Sequence, residues 1–293
     1  MMNVLDFPTE SQVLDSQARA NAPGQFVALP EGITHYELAG PLDGQPVILV
    51  HGFSAPYFIW DFTFDALVQA GFRTLRYDLY GRGYSDRPNV VYDADLFDRQ
   101  LWTLLAALEI EQPADLIGLS MGGPIAALFT ARHPNHVRKL GLIAPAGLSI
   151  KIPITVRLMQ VPILGEWLMD RFGDRALVSG QTQDFYEPDQ FPSFQEKYCT
   201  QMKYRGFKRA LLSTIRHGPL RNMEGVYWQA SQHQHPTLLI WGREDRTIPF
   251  QLSARVREAV PHAEFHPIDQ AGHIPHYERP ELINPIIIKF LQA

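Results

Sequence analysis

Asp115-Leu116-Ile117-Gly118-Leu119-Ser120-Met121-Gly122-Gly123 is the stretch that decides the fold. An apolar strand runs into Gly118-x-Ser120-x-Gly122, and the apolar run 125–129 follows at once with helical character. In that setting Gly-x-Ser-x-Gly makes a sharp strand-to-helix turn that lifts a serine hydroxyl clear of a sheet. Glycines flank the serine because so tight a turn leaves no room for neighbouring side chains. The N–H groups and positive dipole end of the following helix then face the serine, where negative charge would develop. Pro124 suits the opening of that helix, where no N–H is required. Three fixed positions in five also occur in glycine-rich turns of no catalytic use, so the rest of the chain must decide.

Working outward, 47–50 (Val-Ile-Leu-Val) is a continuous apolar run of the kind buried on both faces of a sheet. Further strands are expected at 73–77, 115–119, 139–143, 237–241 and 264–268, with 26–29 and 33–38 as an antiparallel leading pair around Pro30-Glu31-Gly32. Helical patterns lie between most of them; Phe97, Leu101, Leu104, Leu105 and Leu108 form one such face. Strand–helix alternation predicts an α/β architecture: a mostly parallel sheet with right-handed crossovers and helices on both faces. The alternation stops between Ala146 and His235, a gap too long for a loop. Helix-like pieces at 155–159, 164–172, 194–204 and 207–214, broken by prolines, predict a helical cap inserted above the sheet. The expected organisation is an arm at 1–24, core at 25–145, cap at 146–235 and core again at 236–293.

The chemistry-bearing residues gather where ligands gather in open α/β sheets, beyond the carboxyl ends of strands. Asp245 follows the run Leu239-Ile240-Trp241-Gly242, and His273 follows the last strand in Asp269-Gln270-Ala271-Gly272-His273. Serine alone is a weak nucleophile near neutral pH and needs an adjacent base. Histidine can take its proton and later return it, and a carboxylate fixes the imidazole tautomer. The order Ser120, Asp245, His273 is the one expected with this elbow. Glu244 and Asp269 are rival acids, and His276 is a rival base placed in the opening turn of the last helix. His51-Gly52-Phe53 directly follows the 47–50 strand, where such folds supply an oxyanion-hole N–H. Phe53 and Met121 are the candidate donors, while His51 reads as a structural residue of the loop.

Composition narrows the classes further. A chain of 293 residues, 45% hydrophobic and 19% charged, can bury a sizeable core. A net charge of −5 with no basic run argues against nucleic acid as partner. The single cysteine, Cys199, excludes an intramolecular disulfide. No stretch has the apolar length of a membrane span, and 1–8 lacks the pattern of a signal peptide, so a soluble, cytoplasmic protein is expected. There is no H-E-x-x-H metal pattern. Asp78-x-x-Gly81-x-Gly83-x-Ser85 matches a phosphate loop poorly and reads as a tight structural loop. No metal or cofactor is expected.

Across residues 25–293 these pieces together resemble the α/β-hydrolase superfamily. The matching segments are His51-Gly52-Phe53, Asp78-x-x-Gly81-x-Gly83-x-Ser85, Gly118-x-Ser120-x-Gly122, Trp241-Gly242-x-x-Asp245 and Gly272-His273. His51-Gly52-Phe53-Ser54 and Ser120-Met121-Gly122-Gly123 look most like carboxylesterases and monoacylglycerol-lipase-like enzymes. The resemblance implies an eight-stranded core, a helical cap, Phe53 and Met121 as oxyanion donors, and cleavage of small carboxylic esters through an acyl-enzyme. Ser120 argues against the dehalogenases and epoxide hydrolases of this fold, which carry aspartate there. The meta-cleavage C–C hydrolases share Ser-Met-Gly-Gly but typically have tryptophan after the histidine, where Ile274 stands. That activity, cofactor-free perhydrolase or haloperoxidase activity, and a hydrolase-fold binding protein remain the alternatives. The apolar cap residues Met159, Val161, Ile163, Leu164, Trp167, Leu168, Phe172 and Leu177 are expected to shape an acyl pocket.

Overall fold

Alternate residues of the central strands feed two separate apolar cores, one on each face of the sheet. Ile48, Val50, Leu116, Leu239 and Trp241 belong to one core, and Val47, Leu49, Ile117, Leu119, Leu238 and Ile240 to the other. This is the period-2 geometry of a strand covered on both sides, and it explains why these runs are apolar throughout rather than alternating. The computed structural model describes residues 10–149 and 153–293.

Eight strands form one sheet in the order β1-β2-β4-β3-β5-β6-β7-β8: β1 Gln25–Leu29, β2 Gly32–Ala39, β3 Pro46–Val50, β4 Arg73–Tyr77, β5 Ala114–Leu119, β6 Val137–Ile143, β7 Thr237–Gly242 and β8 Glu264–Ile268. β1 and β2 pair antiparallel, β2 pairs antiparallel with β4, and every other neighbour is parallel. All eight expected strands are present, with ends moved by two residues at most. The helices Ala94–Ala107, Gly122–Arg132, Glu224–Ser231 and Ser253–Ala259 cover one face, and Asp61–Gln69 and Pro280–Gln292 cover the other.

Between β6 and β7 the described chain is helical: Ile154–Gln160, Leu164–Gln181, Pro192–Met202, Phe207–His217 and Glu224–Ser231. Two differences from the sequence reading stand out. The helix opening at Leu164 runs nine residues past its expected end and carries a buried Gly173 in its interior. The helix Glu224–Ser231 was hidden by its low amphipathic contrast; its Tyr227 is fully buried and hydrogen-bonds the Ala146 carbonyl at 2.5 Å. Of the N-terminal segment, Glu10 accepts the Gly206 N–H at 3.0 Å and Gln12 bridges to Tyr204. Residues 1–9 of the expected arm lie outside the described residues. Among the described residues no helix is long and apolar enough to cross a membrane.

Candidate active site

The turn after β5 is a tight backbone knot. Ser120 sits at φ +51°, a left-handed conformation uncommon for a residue with a Cβ. Its N–H donates to Ile143 O, continuing the β5–β6 ladder, while its carbonyl accepts from Gly123 and Ala146, each at 2.9 Å. A Cβ on Gly118 would stand 2.2 Å from Gly122 O, and one on Gly122 would stand 2.1 Å from Val50 O. Both glycines are therefore required by close backbone approach, as the motif implied.

His273 and Asp245 meet beyond the carboxyl ends of β8 and β7, which lie three and two strands from β5. His273 Nδ1 lies 2.8 Å from Asp245 Oδ2, and both side chains are almost fully buried. Asp245 Oδ1 accepts the N–H groups of Thr247 at 2.9 Å and Ile248 at 2.8 Å, so the carboxylate is locked in place. Burial alone would pull the His273 pKa down, but the Asp245 charge and hydrogen bond, with smaller contributions from Asp184 and Glu278, raise it to about 9. Ser120, His273 and Phe53 line one cavity of about 530 Å³. A second lobe of about 320 Å³, also reaching Ser120 and Phe53, is walled by Ala146, Leu148, Val156, Ile215, Leu220 and Ile248.

The rivals are placed elsewhere. Glu244 accepts the Ala271 N–H at 3.1 Å and supports the histidine loop from outside. Asp269 is exposed and pairs with Arg243 at 2.7 Å. His276 lies in its own short helix, Pro275–Glu278, and is fully buried against Trp60. Its Nε2 is 3.0 Å from Ile59 O, and burial pulls its pKa down to about 3. It stands buried, ahead of the last helix rather than inside it.

His51 holds the loop after β3. Burial pulls its pKa down to about 4, so the ring is neutral. Its Nε2 accepts the Leu79 N–H at 2.9 Å, which leaves the proton on Nδ1, donated to Gly52 O at 2.9 Å. In a trans peptide the C=O and N–H point opposite ways. The bond that draws Gly52 O toward His51 therefore turns the Phe53 N–H away from it. Among the described residues, neither the Phe53 nor the Met121 N–H has a protein acceptor.

Several supporting residues gave no sequence signal. Arg82 is buried and donates to Phe53 O at 2.8 Å, Tyr80 O and Thr214 Oγ1, tying the Phe53 loop to the cap. Gln201, from cap helix Pro192–Met202, donates to Ser54 O at 2.7 Å. Glu278 accepts the N–H of Tyr186 in the cap at 2.5 Å and of Gly272, beside His273, at 2.6 Å. Burial pushes the Glu278 carboxyl up to about 7, despite these backbone bonds and Arg279. Asp184 presents its carbonyl to the His273 N–H at 2.7 Å and its carboxyl to Thr247 at 2.6 Å. Asp78, which the sequence did mark as a fixed position of its motif, is the hub of the loop after β4: it binds His35 Nδ1 at 2.7 Å and accepts from the N–H groups of Tyr57 and Tyr84. Burial alone would raise the Asp78 carboxyl, but His35 and the backbone donors hold it below the usual range. The tight structural reading of that loop fits this network.

The expected acyl-pocket residues of the cap need correction. Of the eight, only Leu177 lines the cavity. Val161, Ile163, Leu164, Trp167 and Phe172 face outward. The cap contributes instead Pro153, Val156, Ala176, Gly180, Gln181 and Ile215. Arg216 and His217 line a separate surface groove, with Arg216 paired to Glu166.

The profile of the family described as alpha/beta hydrolase fold matches residues 45–280, and the chain belongs to that family; it is a hydrolase of the α/β fold. The AB hydrolase superfamily protein YisY of Bacillus subtilis (strain 168) is 29% identical over 274 residues, 91% of this chain and 98% of that protein. The 2-hydroxymuconate semialdehyde hydrolase of Pseudomonas sp. (strain CF600) is 33% identical over 78% of this chain and 81% of its own length. Among solved structures, the enol-lactonase from Burkholderia xenovorans LB400 superposes with a TM-score of 0.79 at 20% identity, covering 92% of this chain and all of that one.

Proposed function

We propose that the chain is a serine hydrolase that cleaves short- to medium-chain carboxylic esters through an acyl-enzyme, with Ser120, His273 and Asp245 as its triad. The observation that carries this reading is a strained serine sharing one cavity with a carboxylate-bound histidine. His273 Nε2 takes the Ser120 proton as Oγ attacks the ester carbonyl carbon. The N–H groups of Phe53 and Met121 receive the tetrahedral oxyanion. Collapse expels the alcohol, which takes the proton back from His273; water then repeats the sequence on the acyl-enzyme. No cofactor enters any step. The lobe walled by Leu148, Val156, Ile215 and Leu220 suits an uncharged acyl chain. Turnover of a chromogenic short-chain ester, abolished in Ser120→Ala, tests the proposal.

C–C bond hydrolysis is the second reading, favoured by the 33% identity to the semialdehyde hydrolase. Arg221 and Arg246 at the cavity walls would then face the substrate's charged end. Cleavage of a vinylogous diketone in the absence of ester turnover would replace the first reading with this one.

A further inference from the structure

The outward-facing apolar residues of the cap carry the inference. Helices Ile154–Gln160 and Leu164–Gln181 form a hairpin that roofs the cavity with one side, through Val156, Ala176, Leu177, Gly180 and Gln181. Its other side is exposed and apolar: Ile154 66%, Ile163 84%, Trp167 58% and Phe172 53% accessible, with Leu158, Val161 and Leu164 beside them. Scattered exposed apolar residues need no explanation, but a run of them on one element marks an interaction surface.

The turn between the two helices adds a second observation. Ile163 has φ 70° and ψ −51°, and the Leu164 N–H reaches Pro162 O at 2.8 Å. That is a γ-turn of the rare positive-φ kind, strained for any L-residue and most of all for a β-branched one. The strain is spent on holding an isoleucine out in solvent at the apex of the hairpin, where packing offers it nothing.

Charge decides the occupant. The acids of the second helix are engaged by the neighbouring helix Phe207–His217: Glu166 pairs with Arg216 at 2.5 Å, Asp174 with Lys208 at 3.2 Å, and Asp170 lies 4.0 Å from the same lysine. Arg157, Arg171 and Arg175 are exposed and, among the described residues, have no ion pair. Leu164, Trp167, Leu168, Arg171 and Arg175 follow the i, i+3, i+4 spacing of a single stripe. Apolar side chains with an aromatic anchor and flanking unpaired arginines match the interface of an anionic lipid surface. A second copy of the chain fits poorly, because a two-fold contact through this patch would set the same unpaired arginines against each other. The rest of the molecule, at net charge −5, would be repelled by such a surface and would turn the hairpin toward it.

We propose that the outer face of this hairpin docks the protein peripherally on anionic lipid surfaces, with the roofed cavity held just above the interface. The proposal stands whichever bond the site cleaves. The test is flotation of the full chain with vesicles of phosphatidylcholine alone and of phosphatidylcholine with phosphatidylglycerol in equal parts. Partitioning onto the anionic vesicles is expected, falling about fivefold for each of Arg171→Gln and Arg175→Gln and roughly tenfold or more for Trp167→Ala. All three residues are exposed and outside the cavity, so turnover of a soluble ester is expected to stay unchanged in each variant. Absence of flotation, or flotation that survives these substitutions, overturns the proposal. So does concentration-dependent dimerisation abolished by Trp167→Ala without vesicle binding, which assigns the face to a second copy.

Discussion

Replacing Asp245 by asparagine removes one charge and no volume, and its consequence follows from three hydrogen bonds. Oδ1 accepts the Thr247 and Ile248 N–H groups, and Oδ2 accepts His273 Nδ1–H. Asparagine has one carbonyl oxygen and must choose a side. Two backbone N–H groups outweigh one imidazole N–H, so the amide NH₂ turns toward His273. Nδ1 must then accept, and the imidazole proton moves to Nε2, the atom that has to receive the serine proton. The same exchange in a serine protease costs about 10⁴ in kcat, equivalent to about 5.5 kcal/mol of barrier. The lost charge has its own signature. Burial is no longer offset by Asp245, so the His273 pKa falls from about 9 by about 1–3 units. The assay is hydrolysis of a chromogenic short-chain ester by purified Asp245→Asn between pH 5 and 10, with circular dichroism as the folding control. The expected result is a loss of about 10⁴ in kcat, with the residual activity's acid limb displaced downward. Glu244→Gln is the internal control, because Glu244 touches Ala271 rather than His273 and should leave the rate nearly intact. A loss under tenfold in Asp245→Asn, or a larger loss in Glu244→Gln, refutes the assignment.

Ser120→Ala is expected to remove several powers of ten from kcat while thermal unfolding stays near that of the parent; near-normal turnover in the purified variant would end the serine-nucleophile reading. In the parent, kcat/KM should rise with pH up to about 9, because His273 acts as base only when deprotonated. A plateau reached at the ordinary histidine value would show that the surrounding carboxylates do not act on it. The same raised pKa favours the folded state below the unfolded value of 6.5, and that contribution, about 3 kcal/mol, should be lost as pH climbs through about 9, visible as a falling melting temperature. Gly272→Ala would place a Cβ 2.5 Å from Asp184 O and 2.9 Å from the Tyr186 nitrogen. It should destabilise by about 1–3 kcal/mol and lower kcat/KM, and an unchanged melting temperature would contradict the close packing of cap on histidine loop. Across a p-nitrophenyl ester series, kcat/KM should rise roughly fourfold per methylene until the apolar lobe is filled. A flat series would show that the lobe does not hold the acyl chain.

Local pattern carried the architecture and the polar constellation. The central strands were legible because a two-sided parallel sheet demands consecutive apolar residues, as in Val47 to Val50, and such runs need no knowledge of their neighbours. The positions of Ser120, Asp245 and His273 were legible for a related reason: each follows a strand, and parallel strands bring their carboxyl ends to one edge. Gly118 and Gly122 announced the elbow because only glycine tolerates backbone 2.1–2.2 Å from a Cβ position. What depended on contacts between segments distant in sequence stayed hidden. Composition could name the apolar residues of the cap but not which way they face, since a helix face is chosen by the surfaces packed against it; Trp167 and Ile163 turn to solvent while Val156 and Gly180 meet the cavity. The raised pKa of His273 comes from Asp184 and Glu278 as well as Asp245, three acids spread over 95 positions of chain that only the fold gathers. Arg82, Gln201 and Glu278 hold the site through isolated hydrogen bonds to segments distant in sequence, at Thr214, Ser54 and Tyr186, which leave no periodicity for a sequence to display.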